Sequence, residues 1–284
     1  MAAARLAVIA DSHLCSPGTP YGHWNDRLLL PESWTLWREA VDFVAASAAE
    51  AVMLLGDVTN FAEPDLLVRG LRELARAGRP VIAVAGNHDV EPVRDALAAA
   101  KQAIPALTVP GLTPSPSPAF GGLHVAGVPI RASRQGGHVL DGDELHDLPG
   151  DRPLVMISHY PILDIEADLT RQHLRHPDHL GGVGPLRRQL HRHRGPGVVL
   201  HGHVHRHHAA RSGRLLQLSM APLIESPHAV TLLTLRTEPD GLNVDRETVP
   251  LRAASRPTPA LEHWMFQDGR WTLDPTPSAR RPQP

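Results

Sequence analysis

The chain has 284 residues, and at about 150 residues per domain that length allows two domains or one large α/β domain. Its 28 basic and 30 acidic residues leave a net charge of −2, which excludes a strongly basic chain drawn to nucleic acid by overall charge. With 42% hydrophobic and 20% charged residues the bulk of the chain is not disordered, and a lone cysteine excludes an intramolecular disulfide or a cysteine-rich zinc site.

A first strand is predicted over 5–10. Residues 1–10 are apolar enough to suggest a signal peptide, but the run stops at Asp11 and no small-residue cleavage pattern follows. Without an apolar run of about 18 residues or a lipidation motif, a soluble cytoplasmic protein with no membrane partner is expected. Trp37, Val41, Val44 and Ala48 recur at helical spacing and predict a helix over 34–48. A buried strand follows over 51–55. A second helix is predicted over 63–77, with Pro64 in its first turn, Leu67, Leu71 and Leu74 on one face and Gly78 as its stop. A strand over 80–85 and a helix over 91–104 complete a β-α-β-α-β order, which implies parallel pairing and right-handed crossovers.

The second half changes character. A Pro/Ser loop spans 105–120, strands are predicted over 123–130 and 154–158, an irregular stretch runs over 161–184, and a helix covers 185–194. Strands over 198–200, 215–219, 229–236 and 242–249 have little helix between them, which favours a second sheet rich in antiparallel pairs. The expected layout is a main domain over 1–252, a hairpin extension over 253–273 turning at Asp268 and Gly269, and a Pro-rich, disordered tail over 274–284.

Five polar blocks sit just past apolar strands: Asp11-Ser12-His13, Gly56-Asp57, Gly86-Asn87-His88-Asp89, Ser158-His159-Tyr160-Pro161 and Gly202-His203-Val204-His205. In α/β folds ligand sites collect at those strand ends. Residues two apart on extended backbone face the same way, so Asp11 with His13, and His203 with His205, offer paired ligands. Asp11, His13, Asp57, Asn87, His159, His203 and His205 are too many for one tetrahedral ion. They suit two ions sharing one carboxylate. Oxygen and imidazole donors without thiolate favour Mn, Fe, Zn or Ni.

The ordered set D-x-H, G-D, G-N-H-[DE], H, G-H-x-H resembles the calcineurin-like metallophosphoesterases, over about residues 5–206. The resemblance implies a four-layer αββα sandwich of two mixed β-sheets flanked by helices. It implies one metal on Asp11, His13 and His205, another on Asn87, His159 and His203, and Asp57 bridging them. His88 would contact the phosphate and protonate the leaving oxygen, with Asn87 also near substrate. The cofactors would be two divalent or trivalent transition-metal ions, Mn, Fe or Zn. They would repel less across a shared carboxylate and would provide a hydroxide for in-line attack at near-neutral pH. The D-x-H-L start, the G-N-H-D block and the chain's size are most similar to the cyclic nucleotide phosphodiesterase-like branch. The expected activity is therefore hydrolysis of a small phosphodiester. A DNA or RNA nuclease, a phosphomonoesterase or nucleotide pyrophosphatase, and a non-catalytic scaffold are the alternatives.

Weaker signals bear on substrate. Six arginines and five histidines crowd 171–194, with Asp178 its lone acid, and read either as a basic rim including Arg175 or as a solvated loop and helix face. The Pro/Gly-rich segment 16–24 is a candidate substrate-side loop through His23 or Tyr21. His207 and His208 read as solvent-side. Aromatic residues are only 4%, so no stacking platform for single-stranded nucleic acid is apparent. Histidine is unusually common at 19, and the resemblance would give five of these residues roles in the metal centre or at the substrate. Oligomeric state leaves no trace in the pattern.

Overall fold

The computed structural model describes residues 3–142, 145, 148–175, 179–238, 241–253 and 260–274. In chain order the two large sheets use β1 (Ala3–Ile9), β2 (Ala51–Leu54), β3 (Val81–Ala83), β4 (Ser115–Pro116), β5 (His124–Gly127), β6 (Leu154–Ile157), β7 (Gly197–His201), β8 (His208–Ser212), β9 (Leu215–Ser219), β10 (Ala229–Glu238), β11 (Gly241–Pro250), β12 (Leu261–Gln267) and β13 (Arg270–Asp274). The helices are α1 (Ser33–Ala46), α2 (Pro64–Leu74), α3 (Ala96–Ala103), α4 (Glu166–Arg171) and α5 (Val183–Arg192). Among the described residues no helix is long and apolar enough to cross a membrane.

The first sheet runs β13-β12-β11-β10-β1-β2-β3 and the second β8-β9-β7-β6-β5-β4. β1, β2 and β3 are parallel, as are β5, β6, β7 and β9. These central strands are covered on both faces, which is why they read as unbroken apolar runs. Leu6, Val8, Met53, Val155, Ile157, Val198, Leu200, Leu216 and Leu218 form the layer between the sheets. Their neighbours Ala7, Ile9, Val52 and Leu54 face α1 and α2, and Leu154, Met156 and Val199 face Leu186 and Leu190 of α5. The result is the expected four-layer αββα sandwich of two mixed sheets.

Several boundaries differ from the sequence reading. The third helix begins at Ala96, because residues 90–95 form a short hairpin and Asp95 caps the helix by accepting the Ala98 N–H at 2.8 Å. β8 was not foreseen, since its histidine-rich start carries no apolar alternation. His207 and His208 are not solvent-side. Both are partly buried, His207 between Thr248 Oγ1 at 3.0 Å and Glu262 at 3.3 Å, and His208 near Asp168 at 3.6 Å. The hairpin expected as an extension pairs with β11 and continues the first sheet, sending Trp264, Phe266 and Trp271 into the inter-sheet layer. Asp268 and Gly269 both have positive φ, as the two-residue turn requires. Residues 254–259 and 275–284 lie outside the described residues, as do His176 and Asp178 of the basic stretch.

Candidate metal centre

The loops leaving β1, β2, β3, β6 and β7 meet at one edge of the sandwich. Gly56 and Gly86 make that possible: a Cβ on Gly56 would lie 2.6 Å from Gly86 N, and one on Gly86 would lie 2.1 Å from Asp57 Oδ1. Asp89 pins the same two loops, accepting N–H bonds from Val58 at 3.2 Å, Thr59 at 2.8 Å and Gly86 at 3.0 Å. Burial and the charge of Asp57 push Asp89 up to about 6.

The paired ligands do face one site, but not on extended backbone. Asp11, His13, Asp57, His203 and His205 all have φ between 45° and 68°. Each turns in the left-handed region, which is costly for a residue with a Cβ and collects where a site demands it. Asp11 is held by bonds reaching both sheets: its N–H donates to Gly56 O at 3.3 Å, and its Oδ1 accepts the His203 N–H at 3.0 Å.

Donor atoms converge in two groups. Asp11, His13 and His205 have ligand atoms within 4.8 Å of one another, and so do Asp57, His159 and His203. His13 Nε2 lies 3.4 Å from His205 Nε2, which lies 3.6 Å from Asp11 Oδ1. His159 Nε2 lies 3.2 Å from His203 Nδ1 and 3.0 Å from Asn87 Oδ1. Asp57 Oδ2 stands between the groups, 3.6 Å from His13 Nε2 and 3.3 Å from His159 Nε2. Two donors each about 2.1 Å from one ion at tetrahedral angles lie about 3.4 Å apart, so these spacings suit bound metal.

The tautomers point the same way. His13 Nδ1 donates to Asn60 Oδ1 at 2.9 Å, His159 Nδ1 to Leu55 O at 2.8 Å, and His205 Nδ1 to Glu225 Oε2 at 2.9 Å. Each bond leaves the Nε2 lone pair directed into the shared space, the usual way a ligating imidazole is oriented. Asp11 Oδ2 is buried without a hydrogen-bond partner. Lone pairs and carboxylates facing one another out of water need cations between them, and this donor set fits two.

Without metal, the carboxylates overcome burial and draw protons onto some of these rings, and a proton on Nε2 then stands where a cation would. Burial, then the neighbouring His88, holds His13 well below the usual imidazole range. Burial works against the charge on Asp57, but His159 and His88 outweigh it and hold the carboxyl well below its ordinary value. Burial likewise disfavours a charged His159, yet Asp57 overcomes it and pushes the ring up to about 9.

His88 lies beside these groups, its ring centroid 4.7 Å from that of His13, and it shares a third donor group with His13 and Asp57. Its N–H donates to Asp57 Oδ1 at 2.8 Å, and its Nδ1 donates to Asn60 O at 2.9 Å. That leaves Nε2 for the cleft. The cleft encloses 380 Å³ and is lined by His13, Asp57, Asn87, His88, His203 and His205, together with Asn60, Trp24, Leu28, Gly137, His138 and Tyr160. A larger hollow of 710 Å³ lies on the helix-free outer face of β10, β11 and β12, away from this chemistry.

His23 is exposed and does not line the cleft. Its neighbour Trp24, in the bend that follows the Gly22–His23 strand, lines the cleft instead. Tyr21 is exposed as well, bonding Glu32 at 3.3 Å under the Arg27 guanidinium. Arg175 stands one layer back, its guanidinium 5.2 Å from the Trp24 ring centroid. Three other arginines of the stretch are engaged elsewhere: Arg171 with Asp168, Arg187 with Ile162 O at 2.7 Å, and Arg194 with Asp151 at 3.0 Å. Asn60 and Glu225 had no sequence signal beyond Asn60's nearness to Asp57.

The fold has solved counterparts. A dimetal phosphatase from Danio rerio is 14% identical, with 88% of this chain and 97% of that chain covered and a TM-score of 0.58. TT1561 of Thermus thermophilus is 15% identical, with 88% and 99% covered and a TM-score of 0.52. No curated protein matches the chain. The calcineurin-like phosphoesterase profile matches residues 4–207, a stretch that runs from β1 past His205 and takes in every donor of the two groups. With a match over well more than half its length, the chain belongs to the calcineurin-like phosphoesterase family, whose members are dimetal-dependent hydrolases.

Proposed function

We propose that the chain hydrolyses a small phosphodiester, a cyclic nucleotide or a related ester, with two transition-metal ions of the Mn, Fe or Zn type. One ion would be held by Asp11, His13 and His205 and the other by Asn87, His159 and His203, with Asp57 placed to serve both. The observation that carries the diester reading is the cleft lining, which among the described residues includes no Arg or Lys. A terminal phosphate with two negative charges is commonly gripped by guanidinium forks, whereas the single charge of a diester needs none.

Bound, the two ions would supply positive charge for the phosphoryl oxygens and acidify water for attack on phosphorus. The protein's own contribution is placement and proton transfer. The Nδ1–H···O bond to Asn60 fixes the His88 ring and aims Nε2 into the cleft. As the ester bond breaks, the departing oxygen takes the Nε2 proton of a protonated His88. Asn87 contributes an amide oxygen and therefore no charge, which leaves the site more attractive to an anion than an Asp would. A nuclease reading lacks a basic track, since among the described residues no arginine of 171–194 lines the cleft.

The test compares bis(p-nitrophenyl) phosphate with p-nitrophenyl phosphate on metal-free protein reloaded with Mn²⁺, Fe²⁺ or Zn²⁺. Diester turnover at least about tenfold above monoester turnover is expected. Preference for the monoester would overturn the diester reading, and inactivity of protein carrying two ions would overturn the enzyme.

A further inference from the structure

One side of the cleft is apolar, and Trp24 and Leu28 form it. Both belong to a short hairpin in which Gly22–His23 pairs with Arg27–Leu28. Aromatic residues are scarce in this chain, and most are committed to packing. Trp37, Phe120, Trp264, Phe266 and Trp271 are core residues, and the Tyr160 ring lies against His203 with centroids 4.0 Å apart. Trp24 is different, being half-buried and directed to the space above the metal-binding residues.

The hairpin tip is anchored on several sides. The Trp24 N–H donates to Asp26 O at 3.0 Å, and the Leu29 N–H donates to Ile224 O at 3.0 Å. The Arg175 N–H donates to Asn25 Oδ1 at 2.8 Å, which brings the Arg175 guanidinium beside the indole. The Asp26 N–H donates to Glu225 Oε1, and the other oxygen of Glu225 accepts from His205 Nδ1. One buried carboxylate thus sets both a candidate metal ligand and the wall that faces it. An aromatic face held in place before binding loses little freedom when a ligand covers it.

We propose that Trp24 determines specificity, by stacking a planar aromatic ring of the substrate, such as a nucleobase, while the phosphate meets the metal-binding residues. This rests on the phosphodiesterase reading. A volume of 380 Å³ is near the small end of ligand pockets, about 300–1,000 Å³, and accepts one such ring. Stacking is the recognition left to a wall without charged groups, and every base presents a π-face to it. A base stacked on a protein aromatic gains about five- to 150-fold in affinity.

The experiment uses the full chain loaded with Mn²⁺. Hydrolysis of 3′,5′-cyclic AMP and of glycerophosphoethanolamine is followed by ³¹P NMR, and AMP binding by tryptophan fluorescence in wild type and by titration calorimetry in every protein. Wild type should favour the base-bearing diester, and AMP should quench fluorescence. Trp24→Leu should lower the ratio of the two kcat/KM values by about tenfold, mainly through KM for the cyclic nucleotide. It should weaken AMP binding by a similar factor, whereas Trp24→Phe keeps most of the ratio. A wild-type ratio near one overturns the proposal even if Trp24→Leu does not fold, and so does a Trp24→Phe variant that loses the preference while staying folded. Equal hydrolysis of both diesters without dependence on Trp24 removes the stacking site and leaves the phosphodiesterase reading intact. Trp24-dependent AMP binding without hydrolysis of any diester does the reverse.

Discussion

Replacing Glu262 by Gln tests how the C-terminal hairpin is fastened to the strand that follows the last metal-binding histidines. Arg246 on β11 is fully buried, and its Nε donates to Glu262 Oε2 at 2.7 Å. Its Nη1 donates to His208 O and Ser219 O, both at 2.9 Å, so this one guanidinium ties β11 and β12 to β8 and β9. Burial disfavours charge on Glu262, but His207 and Arg246 prevail and hold the carboxyl at about 2. That is about 2.5 pH units below the ordinary 4.5, and at about 1.36 kcal/mol per unit the partners stabilise the Glu262 carboxylate by about 3 kcal/mol, while burial lowers Arg246 and offsets part of this. Because the folded value is the lower one, the unfolded chain takes up the proton first as the solution is acidified. The contribution is complete above about pH 4.5, more than half gone at about pH 3, and lost as pH falls through about 2. Glu262→Gln leaves a buried cation without its counter-charge, so the unfolding free energy should fall by about 3 kcal/mol at neutral pH. Urea unfolding followed by circular dichroism at neutral pH and at about pH 3 measures both the drop and its pH dependence. Equal stability of the two proteins at neutral pH would refute the reasoning, as would a difference at about pH 3 as large as the neutral one.

Three further predictions concern the site. Asp57→Asn should lower the metal retained after dialysis, read by elemental analysis, from two ions per chain toward one, and cut diester turnover by at least about 100-fold, because the shared negative charge is gone. Glu225→Ala should weaken metal affinity about 10- to 100-fold by freeing the His205 ring, measured by titration calorimetry; an unchanged affinity would show that His205 needs no such partner. His88→Ala should lower kcat about 10²- to 10⁴-fold for a diester with an alkyl leaving group and far less for p-nitrophenol, which departs without a proton. Equal losses on both substrates would leave His88 a phosphate-binding role and no acid role.

The donors were legible because each block follows an apolar run, and strand order carries all of those runs to one edge. What the residues at that edge do with their backbone was not legible. Asp11 and His13 fit a two-residue alternation on paper, yet both turn left-handed, and in that geometry both side chains meet His205 while the Asp11 N–H reaches Gly56. Local pattern also overextended the third helix. Its alanines all lie within 96–103, where the helix forms, whereas residues 90–95 pair as a hairpin and Asp95 sets the start by capping Ala98.

The 16–24 segment was legible as a substrate-side loop, but Trp24 as the side chain that enters the cleft, and Glu225, were not, for a different reason. Neither belongs to a spacing motif, and their contacts cross long stretches of chain: Glu225 meets His205 20 residues back and Asp26 199 residues back. The strand order makes these meetings, because β10 returns beside β1 and carries the segment before it past Ala10 and Asp11, where Leu223 and Ile224 donate to their carbonyls at 2.9 and 3.0 Å. Metal chemistry demands fixed residue types at the strand ends, so it leaves a signature that order alone can reveal. Substrate selection demands only that some surface of suitable shape stand opposite. Any loop that topology brings there can supply it, and here the 22–28 hairpin does so with an aromatic face. The selective part of such a site is therefore found by asking which side chains share a buried anchor with the metal-binding residues. In this chain that anchor is Glu225, and the side chain it places over the centre is Trp24.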